Sequence, residues 1–136
     1  LLSAVNLDAP QHLPAREWWA RAVNEQDDVI GLPWVVLLGF LRLSTNPRVF
    51  PHPLTPDGAA AKLDTWLARG NVRVVREKDE HWDVLKSLIA SSGTAGNLTT
   101  DAHLAALALS HDAVLVSSDA DFSRFEGLRL ENPLRP

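Results

Sequence analysis

GTAGNLTTDAHLAALALSHDAVLVSSDADFSRF, residues Gly93 to Phe125, is the stretch whose reading decides the fold. It reads as a glycine-bearing loop, an alanine-rich helix, a short apolar strand and an acidic turn. Asp101 opens the helix, Asp119 follows the strand, and Asp121 stands two residues further on. In an open α/β sheet, groups just past the carboxyl end of a strand line the crevice where ligands bind. Thr99, His103 and Ser110 are spaced by four and then seven residues, so they share one helical face. Asp101 lies about 200° round from His103 at ~100° per residue. That places it on the stripe of Leu104, Ala105 and Ala108, which is expected to pack on the sheet. An acid in the first turn of such a stripe points inward and needs a cation or donors. Thr-Thr-Asp is also an ordinary helix start, and Ser-Ser-Asp-Ala-Asp-Phe suits a turn capping a short helix. Spacing alone leaves caps and metal ligands on an equal footing.

Working outward from this stretch, the chain alternates helices with short strands. Leu1 to Val5 is an apolar piece suited to a strand–helix junction, and Asn6 to His12 is a loop. A helix starts near Pro14, with Ala15, Trp18, Trp19, Ala22 and Val23 as its apolar stripe. The paired tryptophans suit a core better than a dimer patch. Asn24 to Asp28 is a polar loop and Val29 to Leu32 a brief strand. Pro33 opens a helix through Leu43 that is apolar on all sides until Arg42, so burial between layers is expected. Gly39 in its middle costs roughly 1 kcal/mol relative to alanine, which close packing would explain. Ser44 to Leu54 is a proline-bearing loop and a candidate for substrate or partner contact.

Thr55 and Pro56 start the next helix, whose buried face is Ala59, Leu63, Trp66 and Leu67, with Gly70 as its end. Val72 to Val75 is a strand. Asp79 to Ala90 is a helix with Trp82, Leu85, Leu88 and Ile89 inward, stopped at Gly93. Leu128 to Leu130 forms a last short strand, and Asn132 to Pro136 is a tail. This alternation argues for an α/β fold, a mainly parallel sheet covered on both faces.

Composition narrows the function. The 136 residues suit one domain with an ordinary core, and 46% hydrophobic against 22% charged residues is a globular profile. A net charge of -4 lacks the footprint of a broad nucleic-acid binder, which argues against structural DNA binding but not against a nuclease. No cysteine is present, so disulfides and thiolate–metal sites are excluded, and a cytoplasmic location is expected. The longest uncharged run, Val29 to Leu41, falls short of the ~20 residues that cross a bilayer.

The loop Gly93 to Asn97 lacks the lysine and hydroxyl of a P-loop. His12, His52, His81, His103 and His111 show no zinc-ligand spacing, and the last two are expected to face solvent. Ser117 and Ser118 follow a strand without the glycine-flanked elbow of a serine hydrolase. The aspartates remain. Converging carboxylates raise one another's pKa unless a cation neutralises them, and hard oxygen ligands suit Mg²⁺ or Mn²⁺.

Three stretches carry a family resemblance: LPWVVLLGFLRLSTNPRVF (Leu32 to Phe50), GNLTTDAHLAALAL (Gly96 to Leu109) and AVLVSSDADFSRFEGLRLENPL (Ala113 to Leu134). With the N-terminal LLSAVN piece they resemble the PIN-domain ribonucleases, in particular the VapC toxins of bacterial toxin–antitoxin pairs. The resemblance implies a single PIN-like domain over residues 1–136, an α/β/α sandwich. It implies an acid cluster binding Mg²⁺ or Mn²⁺ and cleavage of RNA phosphodiesters by metal-activated water. An antitoxin partner that covers the site and a homodimer are implied in the same way. By position, Asp101 and Asp119 match the family's acids as catalytic residues and metal ligands. Asp121 matches a further aspartate that assists or caps the turn.

Two departures stand against it. The family's first strand, ending in an Asp-x-Asn motif, has no counterpart here, so the biological protein is expected to begin upstream of Leu1. Gly39 stands where the family often has a glutamate, and Arg42 cannot replace an acidic ligand. The alternative is therefore a catalytically weakened PIN-fold module that acts by binding RNA or an antitoxin. A third reading, an α/β enzyme with an aspartyl phosphoryl acceptor, needs a catalytic lysine set that the chain does not show.

Overall fold

The strand expected over Val72 to Val75 forms over those residues in a computed structural model, which describes residues 12–24, 28–93 and 96–134. This strand, β2, pairs in parallel with β1 (Ile30–Pro33), Ile30 opposite Val72 and Pro33 opposite Val75. The apolar pieces before residue 12 and the middle of the polar loop at 25–27 lie outside the described residues.

Residues up to Val75 form one compact unit. Its first helix, α1 (His12–Asn24), starts two residues before Pro14. The 3–4 spacing of its apolar residues places Val23 in the core and Trp19 against it. Trp19 meets Trp66 edge-on at 5.4 Å between ring centroids, and Phe40 meets the same indole at 5.0 Å. These aromatic pairs, with Leu32, Leu37, Ala59, Leu63 and Val72, make the core of the unit. Asn71, just before β2, ties the pieces together. Its buried side-chain amide donates to the carbonyls of Ala22 (3.0 Å) and Asp28 (3.2 Å).

The helix α2 (Trp34–Ser44) follows β1 directly, and α3 (Pro56–Leu67) precedes β2. Thr55 caps α3 through its hydroxyl, which accepts from the Gly58 amide at 3.0 Å, with Pro56 at the first helical position. Its C-cap is Ala68 rather than Gly70.

Two expectations for α2 are corrected. It is one-sided, not buried all round: Leu37, Phe40 and Ser44 are buried, while Trp34 and Leu38 are more than half exposed. Residues 37, 40 and 44 share one face, whereas 34 and 38 share another. Gly39 is not explained by close packing either, because an added Cβ would meet nothing within 4 Å. Gly31 is the glycine that packing does explain. A Cβ there would collide with a methyl of Val75 on the neighbouring strand.

From Arg76 onward the chain forms a second compact unit. It holds α4 (His81–Ser92), a 3₁₀ turn (Gly96–Leu98), α5 (Thr99–Ser110), β3 (Leu115–Val116), a 3₁₀ turn (Ala120–Arg124) and β4 (Leu130–Glu131). Gly93 ends α4 in the left-handed region at φ 68°, the conformation that glycine adopts without Cβ strain. The strands β3 and β4 pair in parallel, with Leu115 opposite Leu130. Ala102, Ala105 and Ala106 of α5 are buried with Leu88, Phe122 and Phe125.

Trp82 was expected inward and is instead 61% exposed. The helix face that packs carries Val84, Leu85, Leu88 and Ile89. At ~100° per residue Trp82 stands at the edge of that face, about 90° from its centre, and in the first turn of the helix, where its ring stays exposed. Helices interleave with short parallel strands throughout, so the fold is α/β. No helix among the described residues is long and apolar enough to cross a membrane.

Candidate metal centre

Asp101, Asp119 and Asp121 come together. Each offers a carboxylate oxygen, and these three oxygens lie within 4.8 Å of one another. Local structure explains how. Asp101 occupies the third position of α5, whose N-terminus has no side-chain cap, so the threonines before it do not act as the helix start suggested. The buried alanine stripe below it turns Asp101 to the same side as β3, and the aspartate is half-buried there.

Asp119 follows β3, where the Ser117 amide donates to the Glu131 carbonyl at 2.9 Å. The Asp119 amide donates to the Ser117 hydroxyl at 3.1 Å, and Asp119 Oδ1 accepts from the Asp121 amide at 2.9 Å. Asp119 is thus a cap for the 3₁₀ turn and a member of the acid cluster at once, since a carboxylate has lone pairs for both. The turn is held down by Phe122, which is 5% exposed and packs in the same core as α5. Arg124, one turn on, sits 3.7 Å from Asp121 Oδ1.

Burial first, and then the charges of Asp119 and Asp121, push the Asp101 carboxyl above its ordinary range, with Arg124 opposing them. A position near a helix N-terminus favours an ionised acid, whereas burial and the neighbouring carboxylates work the other way on Asp101. The donor set is oxygen only, which fits a hard divalent ion such as Mg²⁺ or Mn²⁺.

A second polar group lies on the other side of α5. His103 was expected to face solvent, but α4 covers it. His81 Nε2 is 2.9 Å from His103 Nδ1, and His103 Nε2 is 3.5 Å from a Glu77 oxygen. If His103 donates through Nε2 to Glu77, its Nδ1 accepts from His81, leaving His81 Nδ1 as a bare acceptor. That nitrogen is buried and has no hydrogen-bond partner. His111 is exposed as expected, and its Nε2 donates to the Arg76 carbonyl at 2.8 Å. Sequence reasoning could not find the histidine pair, because its members are 22 residues apart in different helices.

Burial foremost, and the neighbouring His81, lower the His103 pKa, and Glu77 partly offsets them. Above the ordinary histidine range both folded and unfolded chains hold His103 neutral. As pH falls, the unfolded chain takes up a proton first, so stability drops through and below about pH 6.5. Thermal melts from pH 7.5 to 5.5 should therefore show a falling midpoint, and His103→Gln should flatten that slope. An unchanged slope in the variant would remove His103 as its source.

A PIN domain model matches residues 1–128. The chain belongs to the PIN-domain family. Ribonuclease VapC37 of Mycobacterium tuberculosis is 43% identical over 133 residues, 98% of this chain and 92% of that protein. Ribonuclease VapC33 of the same organism is 42% identical over 135 residues, covering 99% and 94%. These values place the chain among the VapC ribonucleases of the PIN-domain family. The solved structure of VapBC2 from Rickettsia felis bound to a DNA fragment from their promoter contains a similar chain. It matches with a TM-score of 0.64 at 20% identity over 96% of this chain and 91% of that one, a likeness of fold.

Proposed function

We propose that the protein is a metal-dependent endoribonuclease, the toxin of a toxin–antitoxin pair, with RNA as substrate and a cognate antitoxin as partner. The observation that carries the metal site is the meeting of three carboxylate oxygens within 4.8 Å on two separate elements, the start of α5 and the turn after β3. Asp101, Asp119 and Asp121 are the residues that would hold Mg²⁺ or Mn²⁺. Such an ion, when bound, activates water and neutralises charge developing on a phosphate.

The chain's own residues supply the rest. The alanine packing under α5 and the Phe122 anchor fix the two elements that carry the acids. Asp119 shapes its turn through Oδ1, and its carboxylate keeps further lone pairs that would serve an ion. Asp101, whose carboxyl is pushed up by burial and then by its acidic neighbours, would be held in its charged form by a neighbouring cation. No protein nucleophile is required. Purified protein should cleave RNA with Mg²⁺ or Mn²⁺ and stop when EDTA is added. Cleavage that persists under chelation would overturn the reading.

A further inference from the structure

We propose that Arg124 is the residue that grips an RNA phosphate beside the acid cluster, an inference that rests on the ribonuclease reading above. Among the described residues the charges that act on Asp101 are those of Asp119, Asp121 and Arg124, and an acidic mouth repels the polyanion it must admit. Arg124 is the cation on that rim. Its Nε donates to the Asp121 carbonyl at 3.2 Å, which fixes the root of the guanidinium to the 3₁₀ turn. Its Nη2 stands 3.7 Å from Asp121 Oδ1, an ion pair too long for a good hydrogen bond. The Nη1 group has no partner among the described residues, and the side chain is 40% exposed. A planar fork with Nε anchored, Nη2 loosely engaged and Nη1 without a partner among the described residues suits a phosphate, which accepts two parallel N–H bonds. A divalent ion held by the carboxylates would compete for Asp121, the one side-chain partner of Nη2 among the described residues. The ion and the phosphate grip therefore favour each other, although Arg124 and the ion repel.

That arrangement predicts effects of opposite sign. Removing the guanidinium takes a positive charge from beside the ion, so Mn²⁺ binding to Arg124→Ala, read by calorimetry without RNA, should tighten by about two- to fivefold. The KM for RNA cleavage should rise by about 10- to 100-fold, the loss of a charge-assisted phosphate contact. Anisotropy of a labelled single-stranded RNA in EDTA should lose about 0.7 from the slope of log affinity against log salt. Arg124→Lys should keep the salt slope while recovering only part of the KM, because a point charge lacks the fork. A merely structural Arg124 would loosen the turn, so that Mn²⁺ binding and the melting temperature fall together, and that result overturns the proposal. So does a variant that matches wild type in KM and salt slope. A wild-type protein that neither takes up Mn²⁺ nor cuts RNA overturns the ribonuclease reading first, and the Arg124 assignment with it.

Discussion

Replacing Asp101 with asparagine should lower Mg²⁺-dependent RNA cleavage by about 10²- to 10⁴-fold while raising the melting temperature of the metal-free protein. The first effect follows from the proposed ligand role. A metal contributes several kcal/mol to the stabilisation of developing charge, and each ~1.4 kcal/mol is tenfold in rate. Asparagine keeps the shape of the side chain but removes the negative charge that holds a hard cation. The second effect follows from the raised pKa of Asp101. A carboxylate with a folded pKa above its unfolded value destabilises the fold once ionised, so the stability it contributes is present at low pH and lost as pH rises through the folded pKa. Asparagine removes that cost at neutral pH, and a half-exposed group makes the gain small, on the order of 1–3 °C. Near pH 3 the two metal-free proteins should melt together. Full cleavage activity in Asp101→Asn would refute the ligand assignment, and a lower melting temperature would refute the crowding argument.

Phe122→Ala should be the most damaging change to the fold of the second unit. The ring is 5% exposed, packs with Leu88, Ala102 and Ala105, and lies 6.4 Å from the Phe125 ring. Truncating a buried phenylalanine to alanine costs about 3–5 kcal/mol, from lost transfer energy and the cavity left behind. Against a typical total of about 5–15 kcal/mol, that leaves a marginal protein. The same change should weaken Mn²⁺ binding, since Asp119 and Asp121 ride on the turn that the ring pins. Phe122→Leu refills most of the space and should cost less than about 1.5 kcal/mol. Urea titrations of both variants decide the matter. A Phe122→Ala midpoint close to wild type would mean that the turn is not anchored by this ring.

How much of this was legible in the sequence depends on the distance over which each feature is decided. Helix periodicity placed Ala105 and Ala108 inward and put Asp101 on their stripe, and β2 was found to the residue. The acid cluster was legible as two hinges of one continuous stretch, because α5 and β3 are adjacent in the chain. Features set by packing between distant segments were not. Trp82 looked like a core residue because it keeps the period of Leu85 and Ile89, but it stands at the edge of the packed face in the first turn of α4 and is exposed. The apolar surround of α2 hid that only the Leu37, Phe40 and Ser44 face is covered. The His81–His103 contact and the Asn71 amide bridges join residues more than 20 apart, and nothing local announces them. Gly39 is unexplained by its surroundings.

The hydrogen bond from the Asp121 amide to Asp119 has a consequence for how fast such a site could be loaded. The turn is closed by its own backbone and one carboxylate oxygen, so protein groups by themselves supply the bonds that shape it. On the proposed metal-site reading, an ion would then meet two of its three carboxylates already held by protein groups, and its uptake would ask more of the ion's own water shell than of the polypeptide.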